Sequence, residues 1–184
     1  MRIGIDISQA VYEGTGVGKY VRELIPRLIA LAPQHDFVLF AGTLRQKKSI
    51  QKFVRAIQKR ASNIEVKIVS LPPTFLDFLW NKLHIIPIQW LIGKVDVFWS
   101  SDWTQPPLGN AIGMTTIHDV SFLHFPESFH KKIVAVQRRR LLHALQECSV
   151  FLCDSEATKN DVEEYIGIKK NKLFVVYPGY SSTI

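Results

Sequence analysis

The pair His118-Asp119 directly follows an apolar run that ends at Ile117. A histidine at the carboxyl end of a strand can hydrogen-bond a polar substrate and change its own protonation near neutral pH. The aspartate supplies a carboxylate beside it, and Phe122 supplies an aromatic wall. A lone histidine is more often a structural residue, and this alternative stays open. We predict that His118 and Asp119 belong to a catalytic site.

A glycine-rich loop occupies residues 14–19 and reads G-T-G-V-G-K. Glycines let the backbone approach a ligand closely, and the helix start that follows offers free amides to a phosphate. Lys19 takes the place of the third glycine of a dinucleotide fingerprint, and no acid ends the second predicted strand, which excludes an NAD site. The absence of G-K-[ST] from the sequence excludes a Walker A loop. A plain turn that only starts the helix is the alternative to a phosphate or sugar site.

A third polar segment, residues 102–108, reads D-W-T-Q-P-P-L and follows another predicted strand. Trp103 on this loop can stack against a sugar ring or simply close the core. Its location at the end of a strand favours contact with a ligand.

Short β-rich runs alternate with helical stretches along the whole chain, which predicts an α/β fold: a Rossmann-like, doubly wound, mostly parallel sheet of about seven strands. Ligands bind beyond the carboxyl ends of the strands in such a sheet, where the three polar segments fall. The helix at 130–147 is expected to turn its arginines outward and its apolar residues inward, namely Ile133, Val136, Leu141, Leu142 and Leu145. The predicted strands are 2–7, 37–41, 64–71, 95–100, 114–118, 150–153 and 173–176, and the predicted helices are 17–29, 50–57, 76–91, 130–147 and 155–165.

The chain has 184 residues, of which 47% are hydrophobic and 21% charged, which predicts one folded domain and excludes a disordered tail. Its net charge is +7, and the stretch 45–60 holds seven basic residues and no acidic one. Such a cluster attracts phosphate groups. No aromatic-interleaved motif accompanies it, so nucleic acid is not expected. An anionic membrane surface is one interpretation, and a solvated helix face is the other.

The spacing of cysteines and histidines bears on metal binding, and the pattern of apolar runs bears on the cellular compartment. Cys148 and Cys153 lie five positions apart in a predicted strand, so they point to opposite faces and should not bridge. The six histidines show no zinc-ligand spacing, so we expect no metal site. No apolar run approaches the roughly 18 residues that span a bilayer, and Asp6 interrupts what would be a signal peptide. We therefore expect a cytoplasmic protein, with a peripheral position at the inner membrane face as an extension.

Four motifs, taken in order, resemble those of the retaining glycosyltransferases of family 4. They are G-T-G-V-G-K-Y, H-D-V-S-F-L-H-F-P-E, D-S-E-A-T-K-N-D-V and V-V-Y-P-G, and they extend over nearly the whole chain. The second motif is most similar to bacterial mannosyltransferases of surface polysaccharide and lipopolysaccharide assembly. The resemblance implies the amino-terminal, acceptor-side half of the two-domain GT-B architecture, with residues 1–178 as the domain, 179–184 as the start of a linker, and the donor domain absent from this chain.

The same resemblance implies roles for the candidate residues and identifies the substrates. The donor would be a nucleotide sugar, GDP-mannose, used without any cofactor, and the partners would be a glycan or lipid-linked acceptor and the protein's own donor domain. A non-catalytic module that binds a nucleotide, glycan or anionic lipid is the alternative. The residues expected to contact donor phosphate or sugar are Gly16, Val17 and Gly18; those expected to be catalytic are His118 and Asp119; those expected to bind the acceptor are Lys19, Asp102, Trp103 and Phe122.

Overall fold

The computed structural model describes residues 1–179, which form a seven-stranded, all-parallel sheet with the strand order β3-β2-β1-β4-β5-β6-β7. The predicted doubly wound Rossmann-like fold is confirmed, and each predicted strand end lies within two residues of the observed one. The strands are β1 (Arg2–Asp6), β2 (Asp36–Gly42), β3 (Ile64–Val69), β4 (Val97–Ser100), β5 (Ile112–Ile117), β6 (Cys148–Cys153) and β7 (Leu173–Val175).

Helices connect the strands, and four of the five predicted helices are confirmed. Ser155 caps the last of these, since its hydroxyl accepts from the Thr158 amide at 3.1 Å, and Gly167 ends it in a left-handed conformation with φ of 77°. The helices are α1 (Gly16–Leu31), α2 (Lys47–Gln58), α3 (Pro73–Leu76), α4 (Gln89–Ile92), α5 (Ser121–His124), α6 (Lys131–Glu147) and α7 (Glu156–Asp161), with π-helical turns at Asp77–Lys82 and Val162–Ile166 and a 3₁₀ turn at Ser8–Val11.

The single helix predicted at 76–91 is wrong. The chain instead forms α3, the π-helical turn Asp77–Lys82, an irregular segment and the short α4. His84 and Ile86 take positive φ values of 51° and 64°, and Pro87 follows them. A right-handed helix cannot continue through such backbone, and apolar periodicity alone does not reveal the break.

The orientation predicted for α6 is also wrong in part. Arg140 is 3% exposed, whereas Ile133, Leu142 and Leu145 are 39%, 60% and 39% exposed. Val136 and Leu141 are buried as predicted, and Val134 and Ala144, which the prediction left out, also face the core. The cause is tertiary, because this face of the helix also covers polar backbone at the ends of β4 and β5, which a guanidinium can satisfy and an isoleucine cannot.

The sheet is buried on both faces, as its doubly wound form requires. Phe37 and Leu39 of β2 pack with α1 and α2, whereas Val38 and Phe40 pack on the opposite face with α3 and α4. A separate cluster joins β5 and β6 to α5 and α6. The carboxyl edge of the sheet stays free of these layers and carries the loops considered next.

The described residues bear on three further expectations. Cys148 and Cys153 are both buried and free. Among residues 1–179 no helix is both long enough and apolar enough to cross a membrane. The linker expected at 179–184 lies outside the described residues except for Gly179, so the domain boundary stays a prediction.

Candidate functional site

The strand order reverses between β1 and β4, and the candidate site lies at the carboxyl ends of these strands and of the neighbouring β5. Two cavities open there. The first, which we call the histidine pocket, has a volume of about 200 Å³ and is lined by Val17, Asp102, Thr116, His118, Phe122 and Arg140, among others. The second, the tryptophan pocket, measures about 310 Å³ and is lined by Ser8, Tyr12, Thr43, Pro73, Leu76 and Trp103, among others. This is where an open α/β sheet binds its ligands.

His118 is held on three sides at the edge of the histidine pocket. Its Nδ1 lies 2.7 Å from Oδ2 of Asp154, and the hydroxyl of Thr158 donates to its carbonyl at 3.2 Å. The ring of Tyr20 meets the imidazole edge-on, with 5.1 Å between the centroids. A carboxylate on Nδ1 keeps the proton there, which leaves Nε2 available to a ligand as a hydrogen-bond acceptor.

The carboxylate that pairs with His118 is Asp154, not its neighbour Asp119. Asp119 is exposed at the rim of the pocket, and its Oδ1 accepts at 2.9 Å from the amide of Ser121, the first residue of α5. The sequence reasoning missed Asp154. Its position directly after β6 places it at the carboxyl edge of the sheet, but its pairing with His118 follows from the adjacency of β5 and β6, which the structure supplies.

The half-buried Asp102 and the buried Arg140 form the floor of the histidine pocket. Nη2 of Arg140 donates to the carbonyls of Ser101 and Thr116, both at 3.1 Å, and to the Thr115 hydroxyl. Burial raises the pKa of Asp102, an effect that the nearby guanidinium of Arg140 partly offsets. The Oδ1 atom of Asp102 is buried without a hydrogen-bond partner among the described residues. An unpaired carboxylate oxygen on a pocket floor is suited to accept from a ligand hydroxyl.

A second buried carboxylate, Asp6, ends β1 behind this floor. It is 6% exposed, and burial raises its pKa to about 6, although the Ser8 amide donates to its Oδ1 at 2.8 Å. The Ser8 hydroxyl in turn accepts from the Gly42 amide at 2.9 Å. Asp6 thus ties the 3₁₀ turn after β1 to the end of β2 and shapes one wall of the tryptophan pocket.

The two glycines of the predicted donor loop differ in their surroundings. Gly16 is exposed, and a Cβ added there would meet no atom within 4 Å. At Gly18 a Cβ would lie 2.1 Å from the carbonyl oxygen of Tyr12, so Gly18 is required by packing whether or not a ligand binds. The Thr15 hydroxyl caps α1 by accepting from the Gly18 amide at 3.0 Å.

The structure distributes the other predicted residues over two pockets. Val17, Asp102 and Phe122 line the histidine pocket with His118, whereas Trp103 lines the tryptophan pocket. Lys19 is exposed on α1 and lines neither pocket. Asp102 and Trp103 therefore line different pockets, although they are neighbours in sequence. The roles expected for these residues stay predictions.

The fold is that of a Rossmann-like α/β domain with pockets at the carboxyl ends of its strands. The sequence model of Glycosyltransferase Family 4 matches residues 14–183, and the chain therefore belongs to this family and carries a glycosyltransferase-type domain. A crystal structure described as a short-chain dehydrogenase from Oenococcus oeni PSU-1 is 11% identical, with a TM-score of 0.46 over 97% of this chain and 96% of that chain. No curated protein matches this chain.

Proposed function

We propose that this chain is the acceptor-side domain of a retaining glycosyltransferase that moves a hexose from a nucleotide sugar to a glycan or lipid-linked acceptor. The observation that carries the proposal is the His118–Asp154 pair at the edge of the histidine pocket, at the carboxyl ends of adjacent parallel strands. Membership of the family supports the transfer of a sugar. Mannose, with GDP-mannose as donor, rests on the resemblance of the His118 segment.

The histidine pocket fits one sugar ring. Its volume of about 200 Å³ is below the roughly 300–1,000 Å³ typical of sites for drug-sized ligands. A pyranose presents hydroxyls around its edge and apolar faces above and below. Asp102 and His118 offer acceptors for the hydroxyls, and the buried ring of Phe122 offers an apolar wall.

The glycine loop is suited to the donor phosphates. Gly16 begins α1, a helix of 16 residues, and is open to solvent. The free amides and the positive dipole end of such a helix favour an anion. The tryptophan pocket then receives the acceptor, with Trp103 beside an acceptor ring.

In the proposed reaction the C1–oxygen bond to the donor phosphate breaks and the nucleoside diphosphate leaves with the electron pair. An acceptor hydroxyl forms the new bond to C1 on the same face, and its proton passes to the departing phosphate oxygen. No group of this chain has to act as a nucleophile. His118 and Asp102 orient the sugar and stabilise the charge that develops on the ring.

Transfer of label by the full-length protein tests the proposal. We expect radiolabelled mannose to move from GDP-mannose into a lipid-extractable or polysaccharide fraction of membranes from the source cells, and His118→Ala to abolish most of this transfer. Parallel reactions with other GDP- and UDP-hexoses identify the donor. Binding of a nucleotide sugar without transfer from any of these donors would favour the non-catalytic module instead.

We further propose that α2 lies against an anionic membrane surface. Ile50, Phe53, Val54 and Ile57 are buried as expected, and the seven basic residues of 45–60 are all exposed. None of these cations has an ion-pair partner within residues 1–179. The face therefore keeps its full charge for an outside partner.

Co-sedimentation with phosphatidylglycerol vesicles tests this contact. Each basic residue near the surface contributes about 1 kcal/mol, so binding should be clear at low salt and lost near 1 M salt, where the Debye length is about 3 Å. Replacing Lys48, Lys52 and Arg55 by Glu should abolish it. The same charge change at the exposed Lys169, Lys170 and Lys172 should not, and equal loss from both triple variants would show that only net charge matters.

A further inference from the structure

A single buried asparagine holds the loop that carries Trp103. Asn81 is 1% exposed on the π-helical turn Asp77–Lys82. Its Nδ2 donates to the carbonyl of Trp103 at 2.9 Å, and its Oδ1 accepts from the amide of Gln105 at 2.9 Å. The side-chain amide thus bridges the backbone on both sides of one loop residue. Its second N–H donates to Asp77 Oδ1 at 2.8 Å, so both N–H donors and the carbonyl oxygen of the amide are engaged.

The backbone of Asn81 is held in turn by a stacked pair of imidazoles. The rings of His84 and His143 lie parallel within 2°, with 3.8 Å between their centroids. Nε2 of His143 donates to the carbonyl of Asn81 at 3.1 Å. His84 places Nδ1 3.0 Å from the Trp80 carbonyl and Nε2 2.8 Å from Glu147 Oε1. Both partners of His84 are hydrogen-bond acceptors.

The same assembly holds the far end of the loop. Oε2 of Glu147 accepts from the Leu108 amide at 3.0 Å, while Oε1 contacts His84. The loop between β4 and β5 is therefore attached to Asn81 near Trp103 and to Glu147 at Leu108. We call Asn81, His84, His143 and Glu147 together the imidazole clamp.

Protonation of His143 opposes this arrangement. A positively charged His143 ring would lie face to face with the His84 ring at 3.8 Å, and the buried Nδ1 of His143 has no partner within residues 1–179 to accept its new proton. Burial and the neighbouring His84 both lower the pKa of His143 below its usual 6.5. The other charged groups near the clamp are Glu147 and the ion pair Arg139–Asp77. Nη2 of Arg139 lies 3.7 Å from Oδ2 of Asp77, and these two residues stand one turn before His143 on α6 and one turn before Asn81 on the π-helical turn.

We propose that Asn81 is a positioning residue for Trp103, and that protonation of His143 loosens the loop and weakens acceptor binding in the tryptophan pocket. The second half of this proposal rests on the proposed function, in which that pocket receives the acceptor. The sign follows from the neutral state of His143 in the clamp. The loop is held firmly at neutral pH and loosens as the pH falls below 6.5 toward 5.

Fluorine NMR of the full-length protein labelled with 5-fluorotryptophan tests the first half without any substrate. The chain has four tryptophans, and the variant Trp103→Phe assigns the signal of Trp103. We expect Asn81→Leu to shift or broaden this signal, while the signal of Trp90, which is 78% exposed on α4, stays in place. The matched change at an exposed asparagine, Asn171→Leu, should leave the Trp103 signal unchanged.

A pH titration tests the role of the imidazoles and does not depend on the stability of the Asn81 variant. In the wild-type protein the Trp103 signal should move between pH 7 and 5. In His143→Phe, which keeps a ring against His84 but cannot be protonated, this movement should disappear. The proposal would be overturned if the Trp103 signal changed neither in Asn81→Leu nor between pH 7 and 5.

Kinetics separate this proposal from the proposed function. With the acceptor identified by transfer of label, Asn81→Leu should raise the acceptor KM about tenfold and change kcat less than about twofold, since one positioning contact is lost before the chemical step. The Trp103 signal could respond to Asn81→Leu as expected while the acceptor KM stays unchanged. That result would overturn the assignment of the acceptor to the tryptophan pocket, but Asn81 would remain the residue that positions Trp103.

Discussion

Replacing His118 by alanine in the full-length enzyme is expected to lower kcat for sugar transfer about a hundredfold or more, the size of one electrostatic contact in a water-excluded site. The KM for the donor should change much less. A hydrogen bond from the reacting sugar to Nε2 that strengthens in the transition state belongs to the chemical step and not to ground-state binding. A nearly normal kcat would assign His118 to the structure of the domain and not to the reaction.

The paired carboxylate variants Asp154→Asn and Asp119→Asn test which partner supports His118. The carboxylate of Asp154, 2.7 Å from Nδ1, holds the proton on that nitrogen. An amide in its place can donate to Nδ1 instead, which moves the proton to Nε2 and removes the acceptor that the sugar needs. We expect Asp154→Asn to lower kcat at least about tenfold, and Asp119→Asn to have the smaller effect. The reverse order would favour Asp119, as the sequence suggested.

Substitution of Gly18 is expected to destabilise the domain strongly, whereas the same substitution at Gly16 is not. In Gly18→Ala the new Cβ would lie 2.1 Å from the carbonyl oxygen of Tyr12 and 3.1 Å from that of Gln9. Both are backbone atoms, so α1 or the 3₁₀ turn must move, and we expect a loss of about 3 kcal/mol in the free energy of unfolding. Urea denaturation of the two variants measures the difference.

Gly16→Ala serves as the matched variant because its Cβ points into open space. Alanine at the start of a helix should keep the stability or raise it by up to about 1 kcal/mol. If the exposed amides at Gly16 receive the donor phosphate, a larger side chain in Gly16→Val should raise the donor KM while the protein stays folded. Unchanged donor kinetics in Gly16→Val would show that the loop serves only to start α1.

The sequence alone was sufficient to predict the strands of the sheet and the polar loops that follow them. Apolar runs, their spacing and the glycine loop are local signals, and they predicted seven strands, the helix after residue 16 and the buried face of α2. They also predicted that His118 and Trp103 stand at strand ends. The prediction of one helix over 76–91 was wrong because contacts distant in sequence stabilise the irregular segment that interrupts it. One such contact is the hydrogen bond between His84 and Glu147, which are 63 positions apart.

The partners of the candidate site residues were determined only by the tertiary structure. His118 meets Asp154, 36 residues on, because β5 and β6 are adjacent in the sheet, and no local pattern in the sequence encodes this adjacency. Arg140 is buried against the ends of β4 and β5 because carbonyls there require a hydrogen-bond donor. The sequence of α6 had predicted instead that this arginine is exposed to solvent. Sequence determines which side chains reach the carboxyl edge of the sheet, and strand order and burial determine which of them interact.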